Sequence, residues 1–136
     1  MLEPEALAKK LLADNHLCVL ATASTGGKPE AALIEYAEDG LALYFETFPE
    51  YRKYANLKEN PRVSIVLAQL PYTLQMDGVA EELNGDGAAE AKARLKAKTG
   101  GHGFYADPKV RFFKFAPNWA RLLSTTGKPT FIVLKE

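Results

Sequence analysis

The sequence predicts a mainly β protein: a small antiparallel β-barrel with peripheral helices, formed as one domain by residues 1–136. Three observations lead to this fold class. Apolar and polar residues alternate along six or more short segments, which is typical of half-buried strands. The connections between these segments are short, and only two or three segments have helical character. Closure of such a sheet into a barrel would remove its exposed edges.

The first third of the chain predicts one helix followed by a meander of three strands. Leucines recur at helical spacing over residues 4–14, and Pro4 suits the first turn of a helix. Strands are predicted over residues 16–24, 29–37 and 41–47. The sequences Thr-Gly-Gly-Lys and Glu-Asp-Gly, which separate these strands, are typical of tight turns.

The middle of the chain predicts a short helix from about Pro49 and then two more strands. Pro61 ends the helix because the residue before a proline avoids helical angles. The strands follow over residues 62–69 and 72–83. Gly78 is expected to mark a β-bulge or a close approach of two backbones.

The last third predicts a half-exposed helix, a sixth strand and a closing hairpin. Residues 85–100 are rich in alanine, lysine and leucine and end in glycine, which favours a helix. The sixth strand is predicted over residues 109–117. The hairpin is predicted to join residues 119–125 to residues 129–136.

The composition argues against several classes of partner. Basic and acidic residues number 17 each, so a net charge of zero favours neither nucleic acid nor a membrane surface. The single cysteine, Cys18, cannot form an internal disulfide, and we expect a cytoplasmic protein. The first residues lack the features of a signal peptide, and no apolar run is long enough to span a bilayer.

Residues for standard catalytic chemistry are missing from the sequence. The two histidines, His16 and His102, and one cysteine do not make a zinc site, and no metal is predicted. No nucleophile elbow, Walker loop or dinucleotide fingerprint occurs. Cys18 lies in an apolar strand and is predicted to be a buried small hydrophobe.

The start of the short helix carries charges of the disfavoured sign. Arg52 and Lys53 fall in its first turn, where the free N–H groups already give a partial positive charge. The simplest interpretation is a solvated helix face, since the penalty is only about 0.3–1 kcal/mol. A bound phosphate would instead accept the N–H groups and be neutralised by both cations, and Thr47 could donate its hydroxyl.

These motifs, in their order and spacing, resemble the pyridoxamine 5′-phosphate oxidase-like family of flavin-binding split barrels. The family pattern has a glycine-containing turn before Lys/Arg-Pro and then a Thr-x-x-x-x-Arg-Lys segment. Asn-Leu, Asn-Pro-Arg-Val and a strand that ends in Gly-x-Ala follow. The matching positions of this chain are Thr47, Arg52, Lys53, Asn56, Leu57, Asn60, Pro61, Arg62, Val63, Gly78 and Ala80.

The resemblance implies a six-stranded antiparallel split β-barrel of the FMN-binding type. It also implies a homodimer with FMN in a cleft at the subunit interface, acting as an oxidoreductase on a small-molecule substrate. By position, Arg52 and Lys53 match the phosphate-binding pair, and Thr47 matches a residue that contacts the flavin. The remaining cofactor-binding positions implied by the resemblance are Glu46, Phe45, Ala32, Leu33, Trp119 and, for a polar side chain near the ring, Thr73 or Gln75.

The sequence also departs from the family in ways that leave alternatives open. It lacks the Arg-x-His motif of enzymes that oxidise pyridoxamine phosphate, so that reaction is not expected. Trp119 and Arg121 lie where some relatives cover the flavin, but they also suit a core aromatic and a surface cation. Other hypotheses are a flavin carrier or sensor without turnover, a deazaflavin-binding protein, and a barrel that only dimerises. A further hypothesis is a haem protein, for which His16 or His102 would be the axial ligand.

Overall fold

The computed structural model describes residues 2–101 and 103–134, and the statements below refer to these residues. His102, one of the two candidate axial ligands, lies outside them. The helices are α1 (Pro4–Asp14), α2 (Arg52–Glu59) and α3 (Gly85–Thr99), and a 3-10 turn covers Gly103–Ala106. The strands are β1 (Leu17–Ala23), β2 (Pro29–Glu35), β3 (Ala37–Asp39), β4 (Ala42–Thr47), β5 (Arg62–Gln69), β6 (Tyr72–Leu83), β7 (Arg111–Ser124) and β8 (Thr130–Ile132).

The strands form one antiparallel sheet that curls into a split barrel, which confirms the predicted fold class. Their order is β2-β1-β5-β6-β7-β4-β3, and β8 is added beside β7. β2 and β3 are the two halves of one strand that bends at Tyr36, so the two ends of this path are joined by the chain itself. Counted in this way, six strands surround the core, as the sequence predicts. The split is the gap along β2, which has a ladder partner only in β1.

A β-bulge in β7 reverses the faces on which its side chains lie. Gly78 of β6 is opposite Pro117 and Asp77 is opposite Trp119, so Asn118 is the extra residue. Before the bulge the residues packed in the barrel core are odd-numbered, and after it they are even-numbered, as Phe115 and Ala120 illustrate. The bulge therefore places Trp119 on the outer face of the sheet.

Three predicted boundaries are corrected by the structure. Residues 109–117 and 119–125 are not two strands but one, β7, which runs from Arg111 to Ser124. Pro117 was expected to end a strand, but a residue without an N–H is tolerated at the bulge. The closing hairpin is shorter than predicted, because β8 covers only Thr130–Ile132. The short helix begins at Arg52 and not near Pro49, because residues 49–51 form a turn.

Two buried clusters hold the fold together. Apolar side chains from all six barrel strands, α1 and α2 fill the interior, with Phe45 and Phe113 stacked at 5.4 Å. A second cluster packs α3 and the 3-10 turn onto the outside of β4 and β7, through Tyr44 and Phe112. Cys18 is buried in the first cluster, as predicted. No helix among the described residues is long and apolar enough to cross a membrane.

Candidate functional site

A cavity of about 200 Å³ opens at the split of the barrel, beside the first turn of α2. Residues of β2 and β4 line it, together with Lys53 of α2 and Phe104 of the 3-10 turn. Its lining residues are Leu17, Leu33, Ile34, Glu35, Glu46, Phe48, Tyr51, Lys53 and Phe104. Of the predicted cofactor-binding residues, Lys53, Glu46 and Leu33 meet in this cavity.

Lys53 is a partly desolvated cation within this cavity. Burial lowers the pKa of its ammonium group, and the carboxylates of Glu46 and Glu30 oppose that change. The ammonium nitrogen also lies 4.9 Å from the centre of the Tyr51 ring. Tyr51 occupies the N-cap position of α2 but makes no side-chain capping bond, so the first N–H groups of the helix have no side-chain partner there.

Arg52 points away from Lys53, and this separation was not foreseen from the sequence. Its side chain is 77% exposed, and its Nε lies 3.4 Å from a carboxylate oxygen of Glu30. It lines a separate groove together with Lys28, Pro29 and Asn56. Adjacent residues of a helix are about 100° apart around its axis, so neighbouring cations do not share one face. The described structure therefore places the two cations over different openings.

Thr47 is the residue of the predicted site with an unsatisfied polar atom. It ends β4, its side chain is 1% exposed, and its Oγ1 has no hydrogen-bond partner among the described residues. An unpaired buried hydroxyl costs about 1–3 kcal/mol. Thr47 does not line the cavity, although its neighbours Glu46 and Phe48 do. An unpaired group kept beside a cavity is a candidate for contact with a ligand.

The predicted residues on β2 and β4 differ in what they offer a ligand. Leu33 is 65% exposed on the outer face, while Ala32 is half-buried on the side of the core. Phe45 is fully buried, so only its backbone could contact a cofactor. The backbone of β2 lacks a ladder partner on the side away from β1. Its N–H and C=O groups there can bind a ligand edge.

The remaining predicted residues form a second cluster on the outer face of β6 and β7. Arg121 donates a hydrogen bond from Nη2 to Oε1 of Gln75 at 2.9 Å, and its guanidinium lies 6.0 Å from the Trp119 ring. Thr73 lies on the same face, two residues before Gln75. Three strand-to-strand steps separate Leu33 from Gln75, or roughly 14 Å. A single chain therefore does not bring the cavity at the split together with this group of residues on β6 and β7.

Several residues of the split were not singled out from the sequence. Phe48, Tyr51 and Phe104 give the cavity its aromatic lining. The pair of aromatic residues in the turn before α2 was the available signal for two of them. His16 lies in a neighbouring cavity that also includes Glu35. The sequence offered no indication of this proximity, because it depends on how β1 and β2 pair.

Comparisons with known proteins agree with this architecture. A family model for pyridoxamine 5′-phosphate oxidase matches residues 4–124. No curated protein matches the sequence. Among solved structures, a heme binding protein from Mycobacterium smegmatis has a TM-score of 0.85 at 23% identity. That match covers 98% of this chain and 60% of the other, so this chain spans less than two thirds of that protein.

Two further solved structures are similar along nearly their whole length. A putative pyridoxamine 5′-phosphate oxidase from Listeria innocua has a TM-score of 0.74 at 22% identity, with 89% of this chain and 98% of the other covered. HutZ, the heme storage protein from Vibrio cholerae, has a TM-score of 0.73 at 21% identity, with 90% and 94% covered. At these identities the structures support the fold alone. The family model matches most of the sequence, and the chain therefore belongs to the pyridoxamine 5′-phosphate oxidase family.

Proposed function

We propose that this protein binds FMN at the split of the barrel and acts as a flavin-dependent oxidoreductase on a small molecule. The observation that carries the proposal is the cavity at the split, which is lined by Lys53 and by Tyr51, the N-cap residue of α2. A helix N-terminus without a capping side chain, joined by a half-buried cation, is suited to a phosphate. Thr47 supports the proposal, because its buried hydroxyl has no partner in the described structure.

The walls of the cavity suit a planar ring. Leu33, Leu17 and Phe48 supply apolar and aromatic surface, and the unpaired side of β2 supplies backbone donors and acceptors for a ring edge. A bound flavin itself supplies the hydride or electron transfer. The chain then has to hold, orient and shield the ring, which fits the lack of standard catalytic motifs. The absence of an Arg-x-His motif argues against pyridoxamine phosphate as the substrate.

Arg52 would have to leave Glu30 in order to reach a phosphate at the same site. Its side chain is largely exposed, and an exposed ion pair is worth only about 0–1 kcal/mol. A phosphate held by Lys53 and the helix start would offer Arg52 a doubly charged partner instead of a singly charged one. We therefore assign Arg52 to the phosphate with a rearrangement of its side chain.

A homodimer would complete the site. One row on the outer face of the sheet runs from β2 to β8 and carries exposed Leu33, Val66 at 41% and Phe131 at 61% exposure, with Gln75 and Arg121 between the last two. Exposed apolar residues grouped on one face of a sheet are typical of a protein interface. A second copy could place Gln75 and Trp119 over the cavity of the first, which one chain cannot do by itself. A cytoplasmic location remains a prediction.

Haem is the second candidate cofactor. Two of the similar structures are a heme binding and a heme storage protein. In this chain His16 is exposed and lines a cavity that has Glu35 in common with the cavity at the split. His16 could therefore supply an axial ligand next to the apolar surface of the split. Glu30, Glu35 and Glu46 also bring negative charge to this side of the barrel. These carboxylates repel a dianionic phosphate, so the site favours FMN less than a purely basic site would.

Titrations of the purified protein with FMN, riboflavin and haemin test the proposal. We expect FMN to bind more tightly than riboflavin, because riboflavin lacks the phosphate. The double variant Arg52→Ala with Lys53→Ala should weaken FMN binding roughly 10- to 100-fold and abolish the preference for FMN. Lys96→Ala is the matched control, because it removes an exposed cation from α3, away from the cavity.

Two results would contradict the FMN proposal. Equal affinity of the wild type and the double variant for FMN would remove Arg52 and Lys53 from the site. Tight binding of haemin with no binding of FMN would favour the haem alternative, and a change of the Soret band in His16→Ala would then identify the axial ligand.

A further inference from the structure

Arg121 is a half-buried cation with no acidic partner among the described residues. Its Nη2 donates to Gln75 at 2.9 Å, and its Nε is buried with no acceptor. A guanidinium carries five N–H donors, and a buried donor without an acceptor is costly. The described side chains thus satisfy this arginine only in part.

Three of the other four arginines are paired with carboxylates, and the fourth, Arg62, is exposed and has its Nε 3.5 Å from Oδ1 of Asn60. Arg52, Arg94 and Arg111 form ion pairs at 3.2 to 3.7 Å. The acid on the same face as Arg121 is Asp77, which accepts a hydrogen bond of 2.6 Å from Ser64. Among the described residues, Arg121 therefore combines partial burial with the lack of a carboxylate at ion-pair distance.

The surroundings of Arg121 are aromatic and apolar. The Trp119 ring lies 6.0 Å from the guanidinium carbon, and the Phe131 ring lies 6.1 Å from that of Trp119. Val66 lies on the other side, opposite Gln75 in the ladder of β5 and β6. Gln75 uses its oxygen to hold the guanidinium, which leaves its amide NH₂ available as a further donor.

We propose that Arg121, Gln75 and Trp119 bind an aromatic carboxylate. Two donors of a planar guanidinium match the two oxygens of a carboxylate, and the carboxylate would also satisfy the buried Nε. The indole of Trp119 supplies a flat surface for the attached ring. An inorganic anion would use the cation but not the indole, and a neutral ring would leave Nε unpaired.

This site is separate from the cofactor cavity within one chain. Four strand-to-strand steps lie between Leu33 and Arg121, or roughly 19 Å. In the proposed dimer the bound acid would lie beside the cofactor cavity of the other copy, and the aromatic carboxylate would be the substrate. That role as substrate rests on the proposed function, whereas the binding of the acid does not.

Trp119 is the only tryptophan of the chain, so its fluorescence reports directly on this site. Titration of the FMN-free protein with benzoate should change the emission in a saturable way. Acetate, which lacks the ring, and benzyl alcohol, which lacks the charge, should bind at least about tenfold more weakly. Calorimetric titration of benzoate into FMN-loaded protein should still show saturable binding, because the acid lies beside the cofactor and does not replace it.

Variants then separate this site from general electrostatic attraction. Arg121→Gln should weaken benzoate binding at least about tenfold, and Arg121→Lys should lose most of the affinity because it keeps the charge but not the planar donor pair. Arg62→Gln is the matched control on the same sheet and should bind benzoate like the wild type.

The proposal is overturned by a linear, non-saturable response to benzoate, or by equal binding in Arg121→Gln and the wild type. Displacement of benzoate by FMN would also overturn it, because the cluster would then hold the cofactor. Failure of FMN to bind, with benzoate bound as expected, would refute the proposed function alone.

Discussion

Gly78 lies at the bulge that decides which side chains of β7 face the outside of the barrel. A Cβ at this position would lie 2.2 Å from the carbonyl oxygen of Ala116 and 2.8 Å from Cα of Pro117. Both are backbone atoms of the neighbouring strand, so they cannot move aside as a flexible side chain would. Gly78→Ala must therefore push β6 and β7 apart or remove the bulge.

We expect Gly78→Ala to lower the free energy of unfolding by about 3 kcal/mol, at the upper end of the usual cost of overpacking. For a chain of this size the melting temperature should fall by roughly 10 °C. Urea denaturation followed by circular dichroism measures the first quantity. The fluorescence of Trp119 should change as well, because loss of the bulge alters the side on which Trp119 lies.

Gly87→Ala is the matched control. A Cβ on Gly87 would meet only the Leu83 side chain, at 3.6 to 3.7 Å, and Gly87 lies within α3. Alanine is a better helix former than glycine, so this variant should gain about 0.5–1 kcal/mol. A Gly78→Ala protein within about 0.5 kcal/mol of the wild type would refute the argument that the close approach requires glycine.

Four further predictions concern burial and charge. Lys98 pairs with Glu38 and donates a hydrogen bond to the Leu12 carbonyl at 2.9 Å. Lys98→Met should therefore lower the free energy of unfolding by about 2 kcal/mol, measured by urea denaturation. A loss no larger than in Lys96→Met would contradict this. Burial raises the pKa of the Cys18 thiol from 9.0 to about 12, so the folded protein holds this proton more tightly than the unfolded chain. The resulting stabilisation is complete below about pH 9 and is lost as the pH rises toward 12, and Ellman's reagent at pH 8 should label Cys18 only after unfolding. Thr47→Val should stabilise the FMN-free protein by about 1 kcal/mol and weaken FMN binding, whereas a loss of stability would show that the hydroxyl is satisfied without a ligand. Leu33→Asp should shift sedimentation from dimer to monomer, and a monomeric wild type would remove the premise of the composite site.

Much of the fold could be predicted from local signals. Pro4, the glycine-rich turns and Pro61 punctuate the chain, and alternation between them identifies the strands, because both effects act over a few residues. The boundaries of β7 could not be found in this way. Pro117 is a strand-breaking signal, and only the pairing with Gly78 of β6 shows that it falls at a bulge.

For the candidate site, too, some features follow from the local sequence and others depend on the tertiary structure. The sequence alone determined that cations stand at the start of α2 and that Thr47 precedes them, because these relations lie within a single short segment. Only the tertiary structure decided that Lys53 enters the cavity while Arg52 turns to Glu30, since that depends on where β2 passes the helix. It also decided that Gln75, Trp119 and Arg121 share one face, because strand register is set by packing across the sheet and not by the neighbouring residues.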